Sequence, residues 1–146
     1  LPRRPPGGTM TRVLLIEDNP GDVLLARRAL SADGLPPSQI DVATSGPEAL
    51  ARMRQSVPDV VLLDLNLPGM DGRQILAAMR GDPNLVDVPV IVLTSSASPD
   101  DVRWCYRNGA NAYVRKVGDF HAYEAALARV SWFWFHTAEL IRRDEA

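Results

Sequence analysis

A single cysteine, Cys105, stands in 146 residues. It excludes an internal disulfide framework and fits a reducing compartment, so a cytoplasmic setting is expected. No apolar run is long enough to cross a bilayer, and no membrane association is expected. The opening LPRRPPGGT is basic but has no apolar stretch before Val13, which makes it a poor signal peptide. Neither sign of charge dominates. With 16 basic against 18 acidic side chains the net charge is −2, which gives no reason to expect a nucleic-acid partner. Aromatic residues are missing from the whole chain before Trp104; every one lies between Trp104 and Phe135.

An apolar fraction of 46% against 23% charged is ordinary for a globular protein, and the length suits one domain with a real core. Residues 1–10, rich in proline and glycine, are expected to be a mobile extension, with a start at Met10 as one possibility. Residues 11–146 are expected to form the domain.

Short unbroken apolar runs bounded by turn signals predict strands buried on both faces. Val13–Ile16 is one, and Val60–Leu63, ending in Asp64, is another. Val88–Leu93 is a third, ending in Thr94-Ser95-Ser96. Ile40–Thr44 is shorter and more polar, as an edge strand would be, and Ala112–Val114 ends near Arg115-Lys116. Between them lie helical stretches. Asn19-Pro20 opens a helix to Ala32, with Val23, Leu24, Ala26, Arg27 and Leu30 as its stripe. Ser45-Gly46-Pro47-Glu48 opens one to Gln55, Asp71 one to Arg80, and Ser98-Pro99 one closed by Asn108-Gly109. A last helix runs from Asp119 into the 130s, with Phe120, Tyr123, Leu127, Val130 and Trp134 at core-facing spacing.

Strand followed by helix, five times over, predicts an α/β fold: a doubly wound, five-stranded parallel sheet. A polar second strand beside three apolar ones favours the flavodoxin-like order 2-1-3-4-5 over the Rossmann order. In that order strands 1 and 3 are neighbours, and a crevice opens between their carboxyl ends. It brings Glu17, Asp18 and Asp64 together. Like charges this close repel unless a cation neutralises them or one stays protonated. A hard divalent ion with oxygen ligands, most simply Mg²⁺, solves the problem, and the carbonyl of Asn66 is a further candidate ligand. Strands 4 and 5 add Thr94 and Lys116, a hydroxyl donor and a point positive charge. Each element alone has an ordinary reading as a cap, a turn or an exposed side chain. Together they describe a phosphoryl site in which a carboxylate acts as nucleophile.

At this point the chain resembles the receiver domain of two-component response regulators, a CheY-like fold, from about Arg12 to the last helix. The resemblance is carried by the pair Glu17-Asp18, by DLNLPGMDG around Asp64, by Thr94 and by Lys116. It implies that Asp64 is the phosphoacceptor for a histidine kinase's phosphohistidine. Asp18, Asp64 and the Asn66 carbonyl would hold Mg²⁺, with Glu17 acting mainly through water. Thr94 and Lys116 would bind phosphoryl oxygens, and Asn66 and Ser96 would tune the phosphoryl lifetime. Tyr113 matches the family's switch aromatic, expected to turn inward as Thr94 moves; packing against helix 4 is its other reading, and the two are compatible. The stretch IEDNPGD and the aromatic carboxyl end are similar to single-domain regulators paired with phytochrome-type kinases. One departure is plain: Val117 follows Lys116 where receivers usually have proline after a cis peptide.

Trp132, Phe133 and Phe135 are surplus to the core stripe. They are expected to form a homodimer surface beside helix 4, strand 5 and helix 5, the other reading being a helix wrapped on more sides. HTAELIRRDEA is too short for an output domain, so a stand-alone switch is expected. His121, His136 and Cys105 are read as surface or packing residues. Two other classes compete. A haloacid-dehalogenase-like phosphatase needs a second acid where Asn66 stands. A degenerate receiver that only binds partners would have lost an acid or the lysine, and none is lost.

Overall fold

The computed structural model describes residues 11–32 and 34–143. The expected extension at 1–10 lies outside the described residues. The five apolar runs form one parallel sheet in the order β2-β1-β3-β4-β5. Its strands are β1 (Val13–Ile16), β2 (Ile40–Ala43), β3 (Val60–Asp64), β4 (Val90–Thr94) and β5 (Ala112–Arg115). The helices are α1 (Pro20–Ala32), α2 (Gly46–Gln55), α3 (Gly72–Arg80), α4 (Pro99–Arg107) and α5 (Phe120–Trp132). Among the described residues, no helix is long and apolar enough to cross a membrane.

Successive strand side chains point to opposite faces, so each central strand feeds two cores. Leu14, Ile16, Val61, Leu63, Val90 and Val92 pack with α2 and α3 on one face. Val13, Leu15, Val60, Leu62, Ile91 and Leu93 pack with α1 and α5 on the other. Removing each of these side chains from water contributes about 1.5–3 kcal/mol. This is why the runs are continuous rather than alternating. The expected edge strand β2 is only half covered at Asp41 and Val42.

Helix starts follow the expected caps. Asn19 accepts from the Asp22 N–H, Ser45 from Glu48, and Ser98 from Asp101. Asp71 and Gln74 form a reciprocal capping box.

Four expectations are corrected. Strand β4 begins at Val90, because Val88 closes a series of turns through Asp82 and Leu85. The stripe of α1 is rotated: α1 packs along α5, so Leu25 joins the core while Leu24 is 59% exposed. Phe120 is 69% exposed, since the first turn of α5 stands beyond the strand ends. Phe135 is not surplus. A π-helical turn at Phe133–Thr137, closed by Ala138 N–H to the Phe133 carbonyl at 2.7 Å, changes the helical register. Trp134 and Phe135 both then reach the core, while Trp132 and Phe133 stay half exposed.

One arginine ties the far end of the fold together. Arg80, at the end of α3, donates to the Gly109 carbonyl (Nη2, 2.6 Å), the Val88 carbonyl (2.9 Å), the Val86 carbonyl (3.0 Å) and Asn111 Oδ1 (3.1 Å). Gly109 closes α4 with φ +99°, and a Cβ there would strike the Arg80 side chain at 2.6 Å. Glycine therefore serves both the left-handed backbone and the arginine's passage. Burial lowers the Arg80 pKa, yet the guanidinium stays charged. Replacing Arg80 with methionine leaves several carbonyls without a donor. Urea unfolding is expected to show a loss of about 2–4 kcal/mol, and lysine is expected to restore only part of it.

Candidate functional site

Register sets the site. Ile16 pairs with Leu63, so Glu17 emerges level with Asp64. Asp64 pairs with Leu93, and Thr94 with Arg115, so Thr94 and Lys116 follow one step beyond. The Lys116 N–H bonds to the Thr94 carbonyl at 2.7 Å, which pins its backbone to β4. A crevice of about 730 Å³ opens here, lined by Glu17, Asp18, Asp22, Asp64, Asn66 and Lys116 among others.

Glu17, Asp18 and Asp64 each present a carboxylate oxygen, all within 4.8 Å of one another. Glu17 is 2% and Asp64 5% exposed, while Asp18 faces solvent. Burial, reinforced by the neighbouring Asp64 charge, pushes the Glu17 carboxyl up to about 7 against the pull of Lys116. The donor set fits a hard dication. It is all oxygen and carries excess negative charge. Its spacing is within side-chain adjustment of the roughly 4 Å that two Mg–O bonds of about 2.0–2.1 Å span.

Lys116 is the chain's only lysine. Its Nζ donates to Glu17 Oε1 at 2.6 Å and to Asp22 Oδ2 at 2.9 Å, with Asp64 Oδ2 at 3.4 Å. Burial alone would lower its pKa, but these acids outweigh burial and raise it. The Lys116–Val117 peptide is trans, like every described peptide bond.

Asn66 links the two sides of the crevice. Its N–H bonds to Asp64 Oδ1 at 3.0 Å, and its side-chain amide donates to Thr94 Oγ1 at 3.3 Å. Thr94 is fully buried and also accepts from the Ser96 N–H at 3.3 Å. Gly72 is needed beneath the end of β3, since a Cβ there would lie 2.5 Å from the Asp64 carbonyl oxygen.

Ser96 is not gathered with the others. Its hydroxyl donates to Asp101 Oδ2 at 2.6 Å, and Ser95 lines the crevice instead. Asp101 also pairs with Arg73 from α3. Tyr113 packs against the core, donates to the Ser96 carbonyl at 2.9 Å, and its N–H bonds to the Tyr106 hydroxyl. The β4–α4 loop is thus held by α3, α4 and β5 together. Trp132 stacks on His136 at 4.1 Å, away from the crevice-lining residues.

Three participants escaped the sequence reading. Asp22, in the first turn of α1 where the helix dipole favours any acid, carries no signal of its own in the sequence. Arg73 and Asp101 carry none either, being 28 positions apart. The uniqueness of Lys116 was a signal already present in the composition.

A doubly wound sheet whose acid cluster and ammonium meet at its topological switch point, with a buried threonine one strand away, defines a class: flavodoxin-like domains that work at the strand tips. Within that class the model of the response regulator receiver domain matches residues 13–128, and the chain belongs to this family. Probable methanogenesis regulatory protein FilR2 of Methanothrix harundinacea is 34% identical over 128 residues, covering 84% of this chain and 82% of that protein. Response regulator Rcp1 of Synechocystis is 33% identical over 135 residues, covering 88% of this chain and 91% of Rcp1. The manganese-bound form of Rcp1 superposes with a TM-score of 0.82 at 31% identity, over 90% of this chain and 99% of that one. The phosphorylated cyanobacterial phytochrome response regulator RcpA superposes with a TM-score of 0.85 at 35% identity, over 90% of this chain and 99% of that one.

The Ser96 hydroxyl and the Arg73 guanidinium hold the Asp101 carboxyl below its usual range. A depressed folded-state pKa adds stability above the unfolded value and loses it as pH falls through the folded one. In urea unfolding, wild type is therefore expected to exceed Asp101→Asn by a constant margin from about pH 7 to 5, and the margin is expected to close below about pH 4.

Proposed function

We propose that this receiver accepts a phosphoryl group on Asp64 from a histidine kinase's phosphohistidine, with Mg²⁺ as cofactor, and that residues 11–146 act as one such domain. The observation that carries this reading is the shared crevice, in which Lys116 lies within 3.4 Å of Asp64 and three carboxylates crowd within 4.8 Å. Family membership and the manganese-bound Rcp1 relative support it.

An Asp64 oxygen attacks phosphorus, the phosphorus–nitrogen bond of phosphohistidine breaks, and the imidazole nitrogen keeps the electron pair and takes a proton from solvent. The Asn66 N–H holds the other carboxylate oxygen and so orients the nucleophile. Mg²⁺ held by Glu17, Asp18 and Asp64, with the Asn66 carbonyl, would supply the positive charge that shields Asp64 from the incoming phosphoryl oxygens. Lys116 balances charge on the phosphoryl oxygens. The Thr94 hydroxyl accepts from Asn66 and Ser96 and directs its own proton to a phosphoryl oxygen.

The movement of Thr94 is passed to the loop through Ser96 and on to Tyr113, which is bonded to the Ser96 carbonyl. Asn66 tunes the phosphoryl lifetime from inside the crevice, and Ser96 does so through its anchor on Asp101. The kinase is of the phytochrome type, by likeness to RcpA. The half-exposed Trp132 and Phe133 form the centre of a homodimer surface.

The direct test is mass spectrometry after incubation with Mg²⁺ and a small acyl phosphate. A single phosphoryl adduct on Asp64 is expected, absent from Asp64→Asn and from metal-free samples. An unmodified wild type would leave the binding-module reading in its place. Phosphorylation is also expected to tighten the dimer in sedimentation velocity, and Trp132→Ser with Phe133→Ser to abolish that shift. Equal dimer affinity with and without the phosphoryl group would break the coupling between site and surface.

A further inference from the structure

The crevice contains one acid too many for a cation site. Asp22, in the first turn of α1, lines the crevice but stands outside the cluster that Glu17, Asp18 and Asp64 form. Its carboxylate is turned onto Lys116, 94 positions along the chain, at 2.9 Å.

We propose that Asp22 is a positioning residue that fixes the direction of the Lys116 ammonium in the crevice, an inference that rests on the phosphoacceptor reading. A lysine stem has four freely turning carbons and a compact charge, so its direction is set by its partners. Three partners surround Nζ here, and two of them have other work. Asp64 is the nucleophile, and Glu17 belongs to the carboxylate cluster that would face the metal ion. A carboxylate drawn towards a dication gives up much of its hold on an ammonium. Asp22 is the acid that stays.

The backbone offers the side chain little alternative bracing. The Lys116 N–H is pinned to Thr94, but Val117 is exposed and a Cβ at Gly118 would touch nothing within 4 Å. The restraint therefore comes from α1, across the crevice. Nζ has three donor hydrogens. With one on Asp22, the ammonium is held from the α1 side while it donates to Glu17 at 2.6 Å and lies 3.4 Å from Asp64, where the phosphoryl group is to arrive.

The Asp22 side chain does not cap α1, because it is the Asp22 backbone N–H that bonds to Asn19. Asp22→Asn is therefore expected to fold. A double-mutant cycle with Lys116→Met tests the proposal. Asp22→Asn is expected to slow acyl-phosphate modification of Asp64 about tenfold, the scale of a misplaced catalytic group. Mg²⁺ affinity, read by isothermal titration calorimetry, is expected to stay within about twofold. In the Lys116→Met background Asp22→Asn is expected to cost nothing more. An unchanged rate, or a loss that adds fully to that of Lys116→Met, would overturn the assignment.

A second readout does not depend on phosphorylation. Being unique, Lys116 gives a single side-chain ε-methylene signal in nuclear magnetic resonance. In metal-free protein that group is expected to be rigid in wild type and mobile in Asp22→Asn, with Asp22→Glu between them. Equal mobility in wild type and Asp22→Asn overturns the assignment. A wild type that shows the rigid lysine but takes no phosphoryl group sinks the phosphoacceptor reading while leaving the positioning contact standing.

Discussion

Three carboxylates, those of Glu17, Asp22 and Asp64, meet around one ammonium beside the carboxyl ends of β1 and β3, with Asp18 next to them, and the molecule is arranged to keep them there. Charges of one sign at this spacing drive each other towards solvent or towards protonation; burial first, and the neighbouring Asp64 second, raise the Glu17 pKa. They stay together because each is mounted at the end of a strand or on a helix turn packed against it. The strands cannot yield, being buried on both faces among close-packed Val, Leu and Ile side chains. Hydrophobic burial thus stabilises an electrostatic arrangement that would not assemble in water, and the unrelieved repulsion makes the crevice receptive to cations.

The rest of the fold divides into parts that hold the crevice rigid and parts able to move. At the far end, Arg80 stitches α3 to the turns before β4 and β5, so the sheet is fixed where nothing needs to change. At the crevice end, the β4–α4 loop hangs on a few polar contacts: Ser96 to Asp101, Asp101 to Arg73, and Tyr113 to the Ser96 carbonyl. Such contacts are each worth about 1 kcal/mol or somewhat more where a charge is involved. Under the proposed function, a phosphoryl group on Asp64 would rearrange contacts of that size while leaving the apolar core untouched. This contrast in strength gives the proposed coupling of site to surface a physical basis. The weak contacts themselves join α3, α4 and β5, not α1 and α2.

Much of this was legible in the chain. Continuous apolar runs announced doubly buried strands, the polar Ile40 run announced an edge, and Asn19, Ser45, Asp71 and Ser98 announced helix starts. Once the strand order was inferred, Glu17, Asp18, Asp64, Thr94 and Lys116 had to share one edge, and they do. What escaped notice was decided by long-range packing. The stripe of α1 turned because α1 lies along α5. Phe135 went to the core because a π-helical turn shifted the register after Trp132, and no periodicity rule for a regular helix contains that extra residue. The resemblance gave Ser96 a tuning role, and only packing shows that its hydroxyl is held by Asp101 while its N–H bonds to Thr94.

By itself, the order of residues settled which strands would be buried, where helices would begin and which acids would sit at strand ends, because these depend on local polarity, capping and period. Tertiary structure alone decided the partners. Asp22 became the companion of the only lysine, Arg73 of Asp101, and Arg80 of Gly109, over separations that no local rule spans. Ion pairs and hydrogen bonds form between groups that folding happens to bring within about 3 Å, and that distance is fixed by how the helices pack on the sheet.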